Sequence, residues 1–348
     1  MSAVSIAPEG LRSAHDDRAI GRWLLFCCGV LLALVMLGGA TRLTESGLSI
    51  VDWKPVSGVL PPLNEAAWQA EFARYKDSPQ YTKVNRGMSL GDFKTIFWYE
   101  WAHRLLARLL GLVFALPLLW FWLRGQVSPR LRWPLIGILC LGAAQGYMGW
   151  YMVKSGLVDM PRVSHFRLAA HLSLALLIFA SMFALALKLL WPRSRKARPL
   201  TGAVHALLGL LALTIVFGAF VAGMRAGLMF NTWPMMGAHW IAPGVLAFDP
   251  WWRNFLENPV MVQFVHRCLA LTTLALCLGL WWRLRRAELE SSQRLALNVL
   301  AAMVLVQVSL GISTLVLHVP VWLGTLHQGG AVLLLGAALM FRHRSLAA

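Results

Sequence analysis

The sequence predicts an all-α polytopic membrane protein whose eight transmembrane helices form two related four-helix bundles. Three observations carry this. Of 348 residues, 58% are hydrophobic and only 14% charged, far from the balance of a soluble domain. Eight apolar stretches are each long enough for a hydrocarbon core that needs about 20 residues per helix. Segments of the first half then recur, in order, in the second.

The spans are expected near 22–41, 101–123, 132–153, 165–190, 201–224, 261–282, 294–317 and 320–341. They hold no Asp or Glu; Glu100 stands at the edge of the second. A continuous helix satisfies its own backbone, which lipid cannot do for it. Many of the 17 Trp, among them Trp23, Trp98, Trp120, Trp150, Trp191, Trp281 and Trp322, fall near the ends of these runs, as an interfacial belt requires.

The net charge of +17 sits in short loops. Arg12, Arg18 and Arg22 precede the first span. Arg124, Arg130 and Arg132 join the second to the third. Arg193, Arg195, Lys196 and Arg198 join the fourth to the fifth, and Arg283, Arg285, Arg286 and Arg294 the sixth to the seventh. Arg342 and Arg344 follow the last. The alternate short loops are poorer, with Lys154 and Arg162 in one. This pattern reads as topology and anionic lipid rather than nucleic acid, and places both termini in the cytoplasm. Residues 1–21 form a polar tail without the apolar core of a secretory signal, and Glu9, Asp16 and Asp17 argue against a transit peptide. Cys27, Cys28, Cys140, Cys268 and Cys277 all lie in spans, have no metal-type spacing, and are expected to be small core residues.

The repeat divides the chain into residues 22–190, including a long external loop at 42–99, and residues 201–341, with a linker at 191–200 and a tail at 342–348. Glu100-Trp101-Ala102-His103-Arg104 returns as Gln263-Phe264-Val265-His266-Arg267, 163 residues on, and His171 returns as His327, 156 residues on. Arg42, Gly47, Leu48 and Trp53-Lys54-Pro55 match Arg225, Gly227, Leu228 and Trp233-Pro234. Four spans per unit keep both copies in one orientation, so the repeat is parallel, with a pseudo-twofold along the membrane normal. In the long loop, 64–76 is expected to be a short helix capped by Asn64. Ser89 to Asp92 resembles a capping box that starts a helix running through Glu100. This loop and the Trp-rich loop at about 225–260 are expected to cover the outer face.

His103, His171, His266 and His327 all lie in the first third of spans that run from outside to inside, hence toward the outer leaflet. A histidine in a membrane needs a partner. A single one commonly bonds a neighbouring helix, but two repeat-matched pairs point to a bound metal cofactor. Two imidazoles on different helices suit the opposite faces of a heme iron; zinc wants three or four clustered ligands. His15 and His343 fall on tails, His205 near the cytoplasmic end of its span, His239 in a loop, His318 at a span end, and His165 at the interface. Arg42, Arg104, Arg225 and Arg267 near the same surface suit heme propionates, or snorkel to the interface. Glu100, one helical turn before His103, is a candidate proton acceptor or donor; its counterpart Gln263 cannot ionise. The residues alone leave open a di-heme b-type electron carrier, linked to quinol like a cytochrome b subunit. A secondary transporter is disfavoured by the lack of intramembrane acids.

Residues 38–63 (GGATRLTESGLSIVDWKPVSGVLPPL), 88–108 (MSLGDFKTIFWYEWAHRLLAR), 227–237 (GLMFNTWPMMG) and the two C-terminal His segments resemble the heme A synthase family. Lacking cysteines in the external loops, the chain resembles its alphaproteobacterial and mitochondrial type. The resemblance implies a multi-pass enzyme of the bacterial inner membrane that oxidises the C8 methyl of heme O to a formyl group, giving heme A for cytochrome oxidase. It implies a heme b cofactor on His266 and His327, substrate heme O on His103 and His171, and Glu100 as the catalytic carboxylate. An external electron donor is implied as well, with heme O synthase and cytochrome oxidase assembly factors as partners.

Overall fold

The structure, a computed structural model, describes residues 9–54, 57–157, 161–193 and 200–346. Pro55, Arg195, Lys196 and Arg198, residues 1–8 of the tail and residues 347–348 lie outside the described residues, as do the side chains of Glu9, Arg12 and His15.

Eleven α-helices follow in order among the described residues: α1 (Glu9–Leu43), α2 (Glu65–Lys76), α3 (Pro79–Lys83), α4 (Leu90–Leu123), α5 (Pro129–Lys154), α6 (His165–Leu190), α7 (Thr201–Met224), α8 (Asn254–Glu257), α9 (Pro259–Leu284), α10 (Ser291–Val316) and α11 (Val321–Arg344). Eight of them, α1, α4–α7 and α9–α11, are long and apolar enough to cross a membrane. The chain is a polytopic all-α membrane protein with the expected spans. Two begin earlier than their apolar runs. α1 starts inside the polar segment expected to be a tail, because Asp16 and Asp17 dock onto the α4–α5 turn: Gln126 Nε2 donates to Asp16 Oδ1 at 2.8 Å and Arg130 pairs with Asp17. α4 starts at Leu90, where the Ser89 side chain accepts from the Asp92 N–H at 3.1 Å, so Glu100 lies well inside a helix. The Asp92 carboxylate completes this cap by accepting from the Ser89 hydroxyl at 2.7 Å.

Helix contacts correspond between the halves. α1 packs on α4 and α6, and α5 on α6; likewise α7 packs on α9 and α11, and α10 on α11. The halves meet where α1 lies on α11, α6 on α7, and α6 on α11. One pair departs from this: α4 touches α5 only sparingly, whereas α9 lies along α10.

The long loop folds over one end of the bundle. α2 is capped by Asn64 Oδ1, which accepts from the Ala67 N–H at 2.8 Å, as expected. Trp68, Phe72 and Tyr75 pack onto Phe93 and Phe97, which extend α4 past the span. Burying each such ring stabilises the lid by about 1.5–3 kcal/mol. A polar chain ties the lid to the turn that follows α1: Asn85 donates to the Tyr75 hydroxyl (2.7 Å), Tyr75 donates to Gln80 Oε1 (3.0 Å), and Gln80 Nε2 donates to the Glu45 carbonyl (2.7 Å).

Three expectations are corrected. Cys140 and Cys268 are exposed on the outer faces of α5 and α9; only Cys27, Cys28 and Cys277 are core residues. His343 lies in α11, not on a tail; it is buried, and its Nε2 bonds the Trp191 carbonyl at 2.7 Å. His165 is not simply interfacial: its Nε2 bonds the Leu256 carbonyl at 2.9 Å and its ring packs against Phe220, joining the halves.

Candidate functional site

Each of the four histidines stands on a different helix: His103 on α4, His171 on α6, His266 on α9 and His327 on α11. The last three sit about two turns inside the lid-side end of their helices. His103 sits deeper along α4 only because α4 projects into the lid. All four are partly buried. The two histidines of each half lie within electrostatic reach of each other, His103 with His171 and His266 with His327.

Each imidazole lies against a glycine of an adjoining helix. A Cβ on Gly38, Gly149, Gly218 or Gly311 would stand 2.8, 3.2, 3.0 or 2.9 Å from the ring of His103, His171, His266 or His327 respectively. Close approach of ring to backbone is what only glycine permits there. The hydrogen bonds are also matched. Gln145 Nε2 donates to the His171 carbonyl at 3.1 Å and lies 3.3 Å from Nδ1; Gln307 Nε2 donates to the His327 carbonyl at 2.9 Å and lies 3.2 Å from Nδ1. His266 Nδ1 bonds the Thr214 carbonyl at 3.1 Å, which fixes the ring and leaves Nε2 for a ligand.

These glutamines and glycines went unrecognised in the sequence. Their signal is a second echo: Gln145-x-x-x-Gly149 on α5 and Gln307-x-x-x-Gly311 on α10.

Above the histidines, loop backbone meets the α4 and α9 side chains. Glu100 is buried, at 2% exposure. Its Oε2 accepts from the Ser49 hydroxyl at 2.7 Å and the Ile50 N–H at 2.8 Å, and its Oε1 accepts from Arg104 Nη2 at 2.6 Å. Arg104 also donates to the Ile50 and Asp52 carbonyls at 2.9 and 3.2 Å. In the second half Arg267 donates to the Phe230 and Met235 carbonyls at 2.9 and 3.2 Å, and Gln263 Nε2 donates to the Phe230 carbonyl at 3.0 Å. Arg225 pairs with Glu45 of the first-half loop, close to Arg42. Between α2 and α4 lies a cavity of about 370 Å³ lined by Ile50, Asp52, Lys54, Glu71, Arg104 and Arg108, among others.

The residues fit a heme in each half. Two imidazoles stand on separate helices, each packed against a glycine of a neighbouring helix. Buried polar atoms remain without partners at His103 Nδ1, Gln145 Oε1, Gln307 Oε1 and Arg267 Nε. No group of three or more His, Cys, Asp or Glu suited to a bare metal ion occurs among the described residues.

Residues 21–339 match the cytochrome oxidase assembly protein family. A heme A synthase of Nitrosospira multiformis is 50% identical over 332 residues, covering 94% of this chain and 93% of that protein. Those of Rhodospirillum centenum and Rhizobium meliloti are 47% and 48% identical, covering 99% and 94% of this chain and 93% and 90% of theirs.

The chain belongs to the heme A synthase family. Membership favours heme A synthase over the di-heme electron carrier that the four histidines alone leave open. For a heme A synthase, the informative contrast lies between the halves: a buried carboxylate in one, an amide in the other.

Proposed function

We propose that this chain oxidises the C8 methyl of heme O to a formyl group, giving heme A, with the two halves in different roles. His103 and His171 would hold the substrate heme O, Glu100 would be the catalytic carboxylate, and His266 and His327 would hold a resident heme b. The observation that carries this reading is Glu100: a buried carboxylate with three hydrogen bonds one turn before His103, with Gln263 in its place before His266.

The bound heme supplies the redox chemistry. The protein's own groups do the rest. Neutral imidazoles would ligate through a ring nitrogen: His266 has its Nδ1 held by the Thr214 carbonyl, Gln145 and Gln307 lie beside the rings of His171 and His327, and His103 Nδ1 has no partner. Glu100 would accept or deliver a proton, its carboxylate held by Arg104, which lines the cavity. Arg42, Arg104, Arg225 and Arg267 would be the candidates for holding heme propionates; the unpaired buried Nε of Arg267 suits a carboxylate.

Room also favours the first half for the substrate. Heme O carries a long farnesyl tail that heme b lacks. On α5, Gly142 is exposed and Gly146 is exposed, with nothing within 4 Å of a Cβ at either; Val304, at the place of Gly142 on α10, is 1% exposed. Together with the sparse α4–α5 contact, this leaves an open side toward lipid. The arginine-rich loops support both termini in the cytoplasm of a bacterial inner membrane and both sites toward the outer leaflet. The two halves are proposed as bundles related by a pseudo-twofold along the membrane normal, supported by the matched His–Gly and His–Gln contacts. An external electron donor, heme O synthase and cytochrome oxidase assembly factors are the proposed partners.

The test is conversion of supplied heme O by purified protein, with product followed by mass spectrometry. Glu100→Gln is expected to lose about a hundredfold or more in conversion while keeping its second-half heme. Full conversion by that variant sinks the role split.

A further inference from the structure

Glu100 has four lone-pair positions, as any carboxylate does. Three are spoken for, and unequally: Oε2 takes the Ser49 hydroxyl and the Ile50 N–H, at 2.7 and 2.8 Å, while Oε1 takes only Arg104, at 2.6 Å. Ser49 is itself buried, at 2% exposure, so no water competes for its hydroxyl. In the second half, the same loop position is Met229 and the same helix position is Gln263. The arginine survives there with its bond to the loop carbonyl, Arg267 to Phe230 matching Arg104 to Ile50. What differs is the hydroxyl and the carboxylate, and they differ together.

We propose that Ser49 is a positioning residue for the reaction: with the Ile50 N–H it saturates Oε2 and leaves Oε1 as the oxygen that exchanges a proton at the substrate. This rests on the role given to Glu100 above. Arg104 neutralises the carboxylate from the side, and its second and third bonds hold the Ile50–Asp52 backbone in place. The loop therefore reaches the carboxylate as one rigid unit. Ser49 is the member whose removal frees the carboxylate to rotate without stripping its countercharge. Because the hydroxyl acts through Glu100, its effect must vanish where Glu100 has no carboxylate.

The experiment uses the full chain in detergent or nanodiscs. The infrared difference between the native chain and Glu100→Gln isolates the Glu100 carboxylate band. In Ser49→Ala that band is expected to shift and broaden, and heme O turnover to fall about tenfold or more with KM within twofold. Ser49→Thr, which keeps the hydroxyl, is expected to restore both band and turnover. In a Glu100→Gln background, Ser49→Ala is expected to change the residual turnover less than twofold. Should Ser49→Ala not insert, Ser49→Cys keeps the volume and weakens the donor. A carboxylate band unmoved by loss of the hydroxyl overturns the positioning role alone. So does a loss that Thr does not restore, or an equal loss in both backgrounds. Full turnover in Glu100→Gln instead overturns the reading on which the proposal rests.

Discussion

Glu100 and Gln263 stand at corresponding places on α4 and α9 and make opposite hydrogen bonds. Glu100 accepts from the Ile50 N–H at 2.8 Å, whereas Gln263 donates to the Phe230 carbonyl at 3.0 Å. Each loop thus presents to its helix the backbone group that suits the side chain. The arginine one turn on is common to both, yet it has a carboxylate to neutralise only in the first half.

That difference predicts unequal costs for losing the arginine. Arg104→Leu strands a buried carboxylate and is expected to destabilise the chain by about 3–5 kcal/mol. Adding Glu100→Gln is expected to recover most of that loss. Arg267→Leu breaks only bonds to carbonyls and is expected to cost about 1–3 kcal/mol. Thermal or denaturant unfolding in detergent measures all three; equal losses for Arg104 and Arg267, with no recovery, would contradict this account.

The glycines behind the histidines predict a separable effect on heme. A methyl at Gly218 would stand 3.0 Å from the His266 ring and push it from its place. Gly218→Ala is therefore expected to lower resident heme b occupancy severalfold while the helices stay folded. Absorbance of the reduced pyridine complex gives the heme-to-protein ratio. An unchanged ratio would mean that ring placement at His266 tolerates this shift.

Much of this was legible in the sequence, because a lipid solvent forces apolar residues into continuous runs. The spans, the paired histidines and the Asn64 and Ser89 caps all follow from local signals. Long-range relationships were not. Ser49 is 51 residues from Glu100, and nothing local marks its hydroxyl as aimed at a carboxylate. The start of α1 depends on Gln126 and Arg130, which lie over a hundred residues away. Gln145 and Gln307 were hidden for another reason: one glutamine in an apolar run looks like a tolerated polar residue until its repeat partner is found.

Gln307 is expected to orient His327 rather than to bind it in the helix bundle. Its amide bonds the His327 carbonyl at 2.9 Å and stands 3.2 Å from the ring. Gln307→Leu keeps the volume and removes the hold. Heme b is expected to remain bound with altered electron paramagnetic resonance g values, since these report the relative planes of the axial imidazoles. Unaltered g values would show that packing against Gly311 alone sets the ring.

Tyr75 anchors the lid through its hydroxyl, fully buried between Asn85 and Gln80. Tyr75→Phe is expected to cost about 1–2 kcal/mol and to raise proteolytic cleavage in the 42–99 loop. Burial, first of all, pushes the phenol's pKa above its ordinary value. The folded lid thus prefers the neutral phenol. Its contribution is full below the unfolded value near pH 10 and is lost as pH rises from there toward the folded value. Lid proteolysis that rises already at neutral pH would count against this.

The open side of α5 predicts where substrate size is sensed. Gly142 and Gly146 leave open space on α5, whereas Val304, at the place of Gly142 on α10, is packed into the core, where a resident heme would need no room for a tail. Neither position has a neighbour within 4 Å of a Cβ, so Gly142→Val adds bulk without a clash and is expected to leave the unfolding midpoint unchanged. If the farnesyl tail runs along this face, the added methyls occupy its path. KM for heme O is then expected to rise on the order of tenfold, a misfit of one to a few methyl groups. Resident heme b content is expected to stay the same, because that site lies in the other half. Steady-state conversion in nanodiscs separates the cases: a raised KM with intact heme b places the tail on α5, and an unchanged KM places it elsewhere.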